Sequence, residues 1–295
     1  MQVICLGEAM GEISSAADGR FAVGVGGDTF NTAIYLARVG VETAFASMVG
    51  TDPFGALIRQ TLYDNDVSDA LLLESETAAT GLYSITNAAD GERSFHYWRE
   101  AAAARGFFRA APQLAIEALL TADCLYLSGV SLWVLQSDAA RLIEVLAEAK
   151  SRGVRLFFDS NYRPKLWGGQ EARARQLFGD VMGLCNLVLP TYEDEVMLWG
   201  DASPTASLDR IAALGATSIV LKQGSEGCLV RDAGHDIAVP VPQPCTPLDT
   251  TAAGDSFNAA YIAAILGGAA PHGAALAGHD LAGKVIRTRG AILPR

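Results

Sequence analysis

A short turn carries the residues best suited to chemistry, Asp249-Thr250-Thr251-Ala252-Ala253-Gly254-Asp255. The stretch before it excludes a helix or a central strand because it contains Pro240, Pro242, Pro244 and Pro247. The stretch after it shows an amphipathic helical pattern formed by Phe257, Ala260, Tyr261, Ala264 and Ile265. The turn therefore opens a helix, and we expect the peptide N–H groups of Ala252 to Asp255 to lack helical acceptors. Such groups and the positive end of the helix dipole bind anions, especially phosphate.

Asp255 lies in the same turn, although a carboxylate is not needed for binding an anion. A carboxylate beside a phosphate site suits a general base that accepts the proton of an attacking hydroxyl group. The alternative is a structural role, in which Asp255 caps the N-terminus of the helix. The residues of the turn alone leave both interpretations open.

Two further loops contain residues that could bind a ligand. Gly24 to Asn31 is rich in glycine and precedes a helix, and Asp28 and Asn31 could bind hydroxyl groups. Lys222 to Gly227 follows a buried strand, at the edge where α/β sheets bind ligands. A glycine turn with an ordinary cap and a plain tight turn are the structural alternatives for the two loops.

Two arginines occur near the ends of predicted strands. Arg99 ends a predicted hairpin, and Arg163 follows a strand within Asp159 to Pro164. The planar guanidinium group suits a carboxylate or a phosphate, whereas a surface salt bridge is the alternative. In a protein of net charge −11 and pI near 4.8, an anionic substrate requires such local cations.

Composition limits the classes of function. The 295 residues are half hydrophobic, so a large core is available, and the absence of a basic run argues against nucleic-acid binding. No apolar run has the length of a membrane span, and we expect neither a signal peptide nor a membrane partner. The cysteines lack C-x-x-C spacing, which predicts reduced thiols in a cytoplasmic protein; they are Cys5, Cys124, Cys185, Cys228 and Cys245.

Short apolar runs alternate with helical patterns along the whole chain, which predicts an α/β fold with a mostly parallel sheet. The predicted strands cover 2–7, 44–49, 123–128, 154–159, 186–189 and 217–222. The predicted helices cover 29–39, 53–64, 112–121, 136–151, 171–183, 207–214, 255–266 and 272–288. Residues 8–24 and 78–99 instead alternate and contain turn signals, including a hairpin turn at Asp90-Gly91. We expect these two segments to form a small β lid inserted in one domain, 1–295, and to pair with another subunit in a homo-oligomer.

The motifs together resemble those of one family. Gly26 to Ala33 resembles the first signature of the PfkB/ribokinase-like carbohydrate kinases, and Asp249 to Ala260 resembles the second. The resemblance extends from end to end and implies a ribokinase-like three-layer α/β/α sandwich with a small β-sheet lid. Within the family the chain is most similar to the 2-keto-3-deoxygluconate kinases, through Tyr97-Trp98-Arg99, Asn161 to Trp167 and Arg289-Gly290-Ala291-Ile292.

The resemblance implies transfer of a phosphoryl group from ATP, with Mg²⁺, to the 6-hydroxyl of 2-keto-3-deoxygluconate, with Asp255 as the base. The implied sugar-binding residues are Gly27, Asp28, Asn31, Tyr83, Tyr97, Arg99, Arg163 and Asp255. The implied ATP-binding residues are Asn161, Lys222, Gly224, Ser225, Gly227, Ala252, Ala253 and Gly254. Two departures from the family pattern are Ala252, where glycine is commoner, and Thr191 to Asp194 in place of N-x-x-E. The acid that organises Mg²⁺ through water is therefore either Asp194 or the following Glu195.

Three other functions are considered. A kinase of a neutral sugar such as fructose or ribose would share the chemistry. A sugar-binding regulator would not need Asp255. A nicotinamide oxidoreductase would need a G-x-G-x-x-G fingerprint, and Thr29 occupies its last glycine position.

Overall fold

The computed structural model describes residues 1–15, 20–87 and 93–295. Its strands, in chain order, are β1 (Gln2–Leu6), β2 (Met10–Ser15), β3 (Phe21–Gly26), β4 (Glu42–Gly50), β5 (Leu72–Ser75), β6 (Leu82–Asn87), β7 (Arg93–Trp98), β8 (Cys124–Ser128), β9 (Arg155–Asp159), β10 (Leu187–Val188), β11 (Ser218–Lys222), β12 (Cys228–Asp232) and β13 (His235–Val239). Its α-helices are α1 (Asp28–Arg38), α2 (Pro53–Asp64), α3 (Phe107–Ala110), α4 (Gln113–Thr121), α5 (Gly129–Val134), α6 (Ala139–Ser151), α7 (Pro164–Trp167), α8 (Glu171–Met182), α9 (Tyr192–Trp199), α10 (Pro204–Leu214), α11 (Ala253–Leu266) and α12 (Pro271–Val285).

The larger sheet has the strand order β13-β12-β11-β10-β9-β8-β1-β4-β5. All neighbours from β11 to β5 are parallel, whereas β12 and β13 continue the sheet as an antiparallel hairpin. The apolar strands are buried on both faces: Leu156 and Phe158 pack into one core, and Phe157 between them packs into the other. A mostly parallel sheet covered on both faces confirms the predicted three-layer α/β fold.

Helices form the outer layers. Helices α1, α2, α11 and α12 contribute to the core on one face, and α4, α5, α6, α8 and α10 to the core on the other. Because parallel strands need crossovers, the loops that follow β8, β9, β10 and β11 gather at one edge of the sheet. Among the described residues, none of the helices combines the length and the apolar character needed to cross a bilayer.

The smaller sheet, which we call the lid, has the order β3-β2-β6-β7. Strands β2, β6 and β7 lie within the two segments predicted to form it, whereas β3 extends two residues past the first segment, to Gly26. Strand β6 pairs with β7 antiparallel. The register places Tyr83 beside Tyr97, and Glu12 beside Tyr83, on one face. Trp98 and Val23 lie on the opposite face because side chains alternate along a strand. The predicted turn residues Asp90-Gly91 lie outside the described residues.

Several elements differ from the prediction, and the edge strand β5 is among those that were missed. Helix α11 was predicted to be amphipathic, but Ser256 to Ile262 are all buried, because the helix packs against both α1 and α12. Helix α9 was not predicted, since its buried face includes Asp194 and Glu195 rather than apolar residues alone. The hairpin of β12 and β13 was also missed.

Candidate active site

The N-terminus of α11 has the geometry of an anion-binding turn. Ala252 adopts a left-handed conformation (φ 60°, ψ 16°) and its carbonyl accepts from the N–H of Ser256 at 2.9 Å. Contrary to expectation, the N–H of Ala253 is engaged, since it donates to the Thr250 carbonyl at 3.2 Å. The peptide N–H groups of Ala252, Gly254 and Asp255 have no acceptor among the described residues. The turn therefore presents three donors where four were predicted.

Asp255 does not cap its helix. It lies inside α11, and one of its carboxylate oxygens accepts a hydrogen bond from Asn31 Nδ2 at 2.9 Å. The pKa of Asp255 is raised to about 8, mainly by burial. The negative charge of Asp28 raises it further, whereas the hydrogen bond from Asn31 lowers it. The residue keeps some accessible surface at the base of the cleft even though protein encloses it. A carboxylate with such a pKa near neutrality is suited to accepting a proton.

The N-terminus of α1 carries the residues expected to hold sugar hydroxyls. Asp28 accepts from Asn161 Nδ2 at 2.6 Å and from the N–H of Thr29 at 2.8 Å. Gly27 is required for packing, because a Cβ atom there would overlap the carbonyl oxygen of Glu8. Asn161 was expected on the ATP side, but its side chain contacts the aspartate of the sugar side. It holds an uncommon backbone conformation (φ 30°), which this hydrogen bond stabilises.

A buried polar network connects the two sides of the site. Lys222 Nζ donates to Asp159 Oδ1 at 3.2 Å and to Asn258 Oδ1 at 3.0 Å. The amide of Asn258 donates in turn to Asp159 Oδ2 at 2.7 Å and to the Tyr126 hydroxyl at 3.1 Å. The Thr32 hydroxyl lies 3.4 Å from both Tyr126 Oη and the Asp255 carbonyl, which closes the network below the base.

Four members of this network were not predicted as site residues. Asn258 lies three residues after Asp255, on the same face of a helix, and this spacing could have indicated it. Asp159 could also have been indicated, because it lies two residues before Asn161. Tyr126 could not, because it lies within a buried apolar strand that gives no chemical signal. Thr32 is equally hidden among the buried residues of α1.

The predicted ATP-binding residues in and before the loop after β11 differ in their exposure to solvent. Lys222 is buried, and its ammonium group lies 3.7 Å from the position that a Cβ on Gly254 would occupy, so its charge faces the anion turn. Gly224 and Ser225 are exposed at the edge of the sheet. Gly227 is buried instead, and a side chain there would overlap the carbonyl oxygen of Val239. Its glycine is therefore explained by packing.

The lid supplies an aromatic surface. The rings of Tyr83 and Tyr97 lie 6.0 Å apart, and Phe95 stacks on Tyr97 at 6.3 Å. The hydroxyl of Tyr83 donates to Glu12, so it is already engaged. Burial raises the pKa of Tyr97. The positive charges of Arg99 and Arg163 act in the opposite direction.

The two predicted arginines have different environments. Arg99 is buried, and its guanidinium group forms an ion pair with buried Glu8. Its charge is therefore compensated, which was not expected for a ligand of the substrate carboxylate. The side chain of Arg163 is exposed and has no ion-pair or hydrogen-bond partner among the described residues. It is the predicted arginine whose charge is available to a ligand.

The acidic residues proposed for Mg²⁺ also differ. Glu195 is engaged by Arg210 at 2.6 Å, and burial raises its pKa to about 7. Asp194 accepts only the N–H of Tyr162 at 3.2 Å among the described residues, and burial raises its pKa to about 6. The positive charge of Arg163 opposes burial, whereas the negative charge of Asp159 acts in the same direction as burial. The described residues contain no group of three or more His, Cys, Asp or Glu side chains that could hold a metal ion directly. Asp194, which accepts a single hydrogen bond, is the acid with room to bind a water of a hydrated Mg²⁺ ion.

The site thus combines a buried carboxylate with an anion-binding turn at the edge of a parallel sheet, next to a lid. This arrangement is suited to α/β enzymes that transfer a phosphoryl group to a hydroxyl. The model of the pfkB family of carbohydrate kinases matches residues 1–295. The chain is 37% identical to the 2-dehydro-3-deoxygluconokinase of Dickeya dadantii, covering 99% of this chain and 96% of the relative. It is also 37% identical to the enzyme of the same name from Escherichia coli K12, covering 100% and 97%.

A solved structure agrees with this assignment. The crystal structure of a PfkB protein from Polaromonas sp. JS666 superposes with a TM-score of 0.82 at 25% identity, over 96% of this chain and 94% of that one. The chain belongs to the pfkB family of carbohydrate kinases.

Proposed function

We propose that the protein transfers the γ-phosphoryl group of ATP to the 6-hydroxyl of 2-keto-3-deoxygluconate. The observation that carries the proposal is the position of Asp255, whose carboxylate has a pKa of about 8 in the turn with three free N–H donors. The relatives named 2-dehydro-3-deoxygluconokinase support the choice of sugar. The five free cysteines and the use of ATP support a cytoplasmic location.

In this mechanism Asp255 accepts the proton of the hydroxyl group as its oxygen attacks the γ-phosphorus, and the bond from that phosphorus to the ADP oxygen breaks. Asn31 holds the carboxylate by a hydrogen bond at 2.9 Å, and Asp28 is placed to accept from another hydroxyl of the sugar. The N–H groups of Ala252 and Gly254 stabilise the negative charge on the transferred group. Mg²⁺, when bound through water to Asp194, would neutralise phosphate charge.

ATP is proposed to lie along the edge formed by the loop after β11 and the turn before α11. Lys222 contributes its buried charge at the phosphates, while exposed Gly224 and Ser225 offer backbone groups to the nucleotide. Ala253 would contribute a backbone contact only, because its N–H is engaged within the turn.

The acidic end of the sugar is assigned to Arg163. Its side chain has no ion-pair or hydrogen-bond partner among the described residues, and its charge acts on Tyr97 of the lid. Tyr83 and Tyr97 would cover the sugar and exclude water. Compensation of Arg99 by Glu8 leaves fewer free cations than the sequence suggested, and this observation favours one alternative, a kinase of a neutral sugar.

A coupled assay of ADP release tests the proposal with 2-keto-3-deoxygluconate, its galactonate isomer, fructose and ribose. We expect kcat/KM to be highest for one of the two keto sugar acids, because Arg163 pairs with their carboxylate. Higher kcat/KM with fructose or ribose would establish the neutral-sugar alternative. ATP binding without turnover on any sugar would indicate a regulator.

We further propose that the lid pairs with the lid of a second copy. The face opposite the tyrosines exposes Phe21 (68%), Val23 (61%) and Trp98 (58%). Phe21 and Val23 lie on one edge strand of the lid and Trp98 lies on the other. Large apolar side chains exposed on one sheet face are typical of an interface, and small sheets gain stability from such packing.

A further inference from the structure

Glu8 occupies the junction between the large sheet and the lid. It lies between β1 and β2, where the chain first crosses into the lid, whereas Arg99 directly follows β7, where the chain finally returns. The ion pair between the Arg99 guanidinium and the Glu8 carboxylate therefore joins the first crossing to the last. Both side chains are buried: 1% of the Glu8 side chain and 4% of the Arg99 side chain is exposed.

The two remaining crossings also contact Glu8. The chain leaves β3 for α1 at Gly27, where a Cβ atom would overlap the Glu8 carbonyl oxygen. It enters β6 after Gly81, where a Cβ atom would lie 2.7 Å from Glu8 Oε1. Glycine at these two positions lets all four crossings lie against a single glutamate.

Arg99 extends this junction to the cleft and to the main body. Its guanidinium lies 5.7 Å from the ring centre of Tyr97 on the lid and 5.0 Å from that of Trp133 on α5. Arg105 lies over Trp133 as well, at 4.6 Å. The indole of Trp133 thus has two guanidinium groups within cation–π distance, and one of them is fixed by Glu8.

The cluster is poorly designed for stability alone. Glu8 Oε1 and Arg99 Nε are buried and have no hydrogen-bond partner among the described residues. A buried ion pair with unsatisfied atoms contributes little net stability compared with apolar residues of similar volume. A role in holding a precise geometry explains its presence better.

We propose that Glu8 is a positioning residue, which holds Arg99 and thereby fixes the height of β7 and of Tyr97 above the sugar. The inference rests on the proposed function only in naming the sugar. Because misplacement of a contact by about 1 Å can cost roughly a hundredfold in rate, a rigid junction below the lid is important for catalysis.

The test is a cycle of the variants Glu8→Gln, Arg99→Met and the two combined. Glutamine keeps the shape of glutamate without its charge, and methionine keeps the stem of the arginine. The control is Arg231→Met, which removes the partner of Asp209 and Asp236 at the far edge of the sheet. The first readout is hydrogen exchange of the backbone amides of β6 and β7, which requires neither sugar nor ATP.

We expect Glu8→Gln to accelerate exchange in β6 and β7 but not in β11, and the control to leave both unchanged. In the steady-state assay the KM for the sugar should rise roughly ten- to a hundredfold, as for the loss of a charge-assisted contact, with the KM for ATP within about twofold. The increase in sugar KM should be no larger in the double variant than in either single variant, because both residues act through one contact. The double variant removes both members of the Glu8–Arg99 ion pair, so it remains informative if a single variant fails to fold.

Unchanged exchange in Glu8→Gln would overturn the proposal. The proposal would also be overturned if the fold-increases in sugar KM of the two single variants multiplied in the double variant, because Glu8 and Arg99 would then act separately. If the protein proves to phosphorylate another sugar, the exchange result still decides the role of Glu8.

Discussion

Replacement of Asp255 by asparagine removes the proposed base while keeping its size. Because the pKa of Asp255 is about 8, roughly one tenth of the free enzyme has the base ionised at pH 7, and roughly one hundredth at pH 6. The kcat/KM of the wild type should therefore rise about tenfold from pH 6 to pH 7 and level off above pH 8. Asp255→Asn should lower kcat on the order of a hundredfold or more and abolish this pH dependence.

The same substitution should stabilise the fold. The pKa of Asp255 is 3.8 in the unfolded chain and about 8 in the folded protein, so folding opposes ionisation of this acid. The free energy of unfolding therefore decreases as pH rises from about 3.8 to about 8. At about 1.4 kcal/mol per tenfold change in the ionisation constant, the full difference is at most about 6 kcal/mol. Because the carboxylate keeps some access to solvent, we expect a gain of about 1–3 kcal/mol at pH 8.

The measurements are a pH series of the coupled assay and urea unfolding of both proteins at pH 5 and pH 8. The control is nucleotide affinity, which should stay within a few-fold because the N–H donors of the turn are unchanged. Retention of half the wild-type kcat by Asp255→Asn would refute the reasoning. An unaltered pH profile in the variant would show that another group accepts the proton.

Three further predictions address other parts of the site. Arg163→Ala should lower kcat/KM for the keto sugar acid roughly ten- to a hundredfold, as for a lost charge-assisted bond, and scarcely affect a neutral sugar; equal losses on both would contradict its assignment. Ala252→Gly should raise the unfolding free energy by up to about 1 kcal/mol, seen as a small rise in Tm, because glycine adopts φ 60° without strain, and a lower Tm would contradict this. Trp98→Glu should convert a dimer to a monomer in light scattering at micromolar concentration, and a wild-type monomer would remove the proposed lid interface.

The large sheet was predictable because its strands are continuous apolar runs. Leu156-Phe157-Phe158 alternates between the two cores, so the sequence has no polar face to interrupt the pattern. The strands after β11 were harder to predict. In β12, Arg231 and Asp232 follow an apolar start, because this edge of the sheet is only partly covered.

The site was predictable where it depends on the backbone and less so where it depends on pairing between distant residues. The turn at Ala252 and the position of Asp255 follow from local sequence. Compensation of Arg99 by Glu8 joins residues 91 positions apart, and no local pattern indicates it. The contact of Asn161 with Asp28 spans 133 positions and was missed for the same reason.

The distribution of charge around the cleft shows how an acidic protein can accept two anionic substrates. Its internal cations are largely matched: Lys222 faces Asp159, and Arg99 faces Glu8. Among the described residues of the site, the ligands can use the peptide N–H groups at α11, which carry no titratable charge, and the exposed guanidinium of Arg163. The phosphates would then bind at the turn before α11, and the sugar carboxylate would bind at Arg163. The base at Asp255 would remain between them, where its pKa is raised by burial and by Asp28 rather than lowered by a direct ion pair.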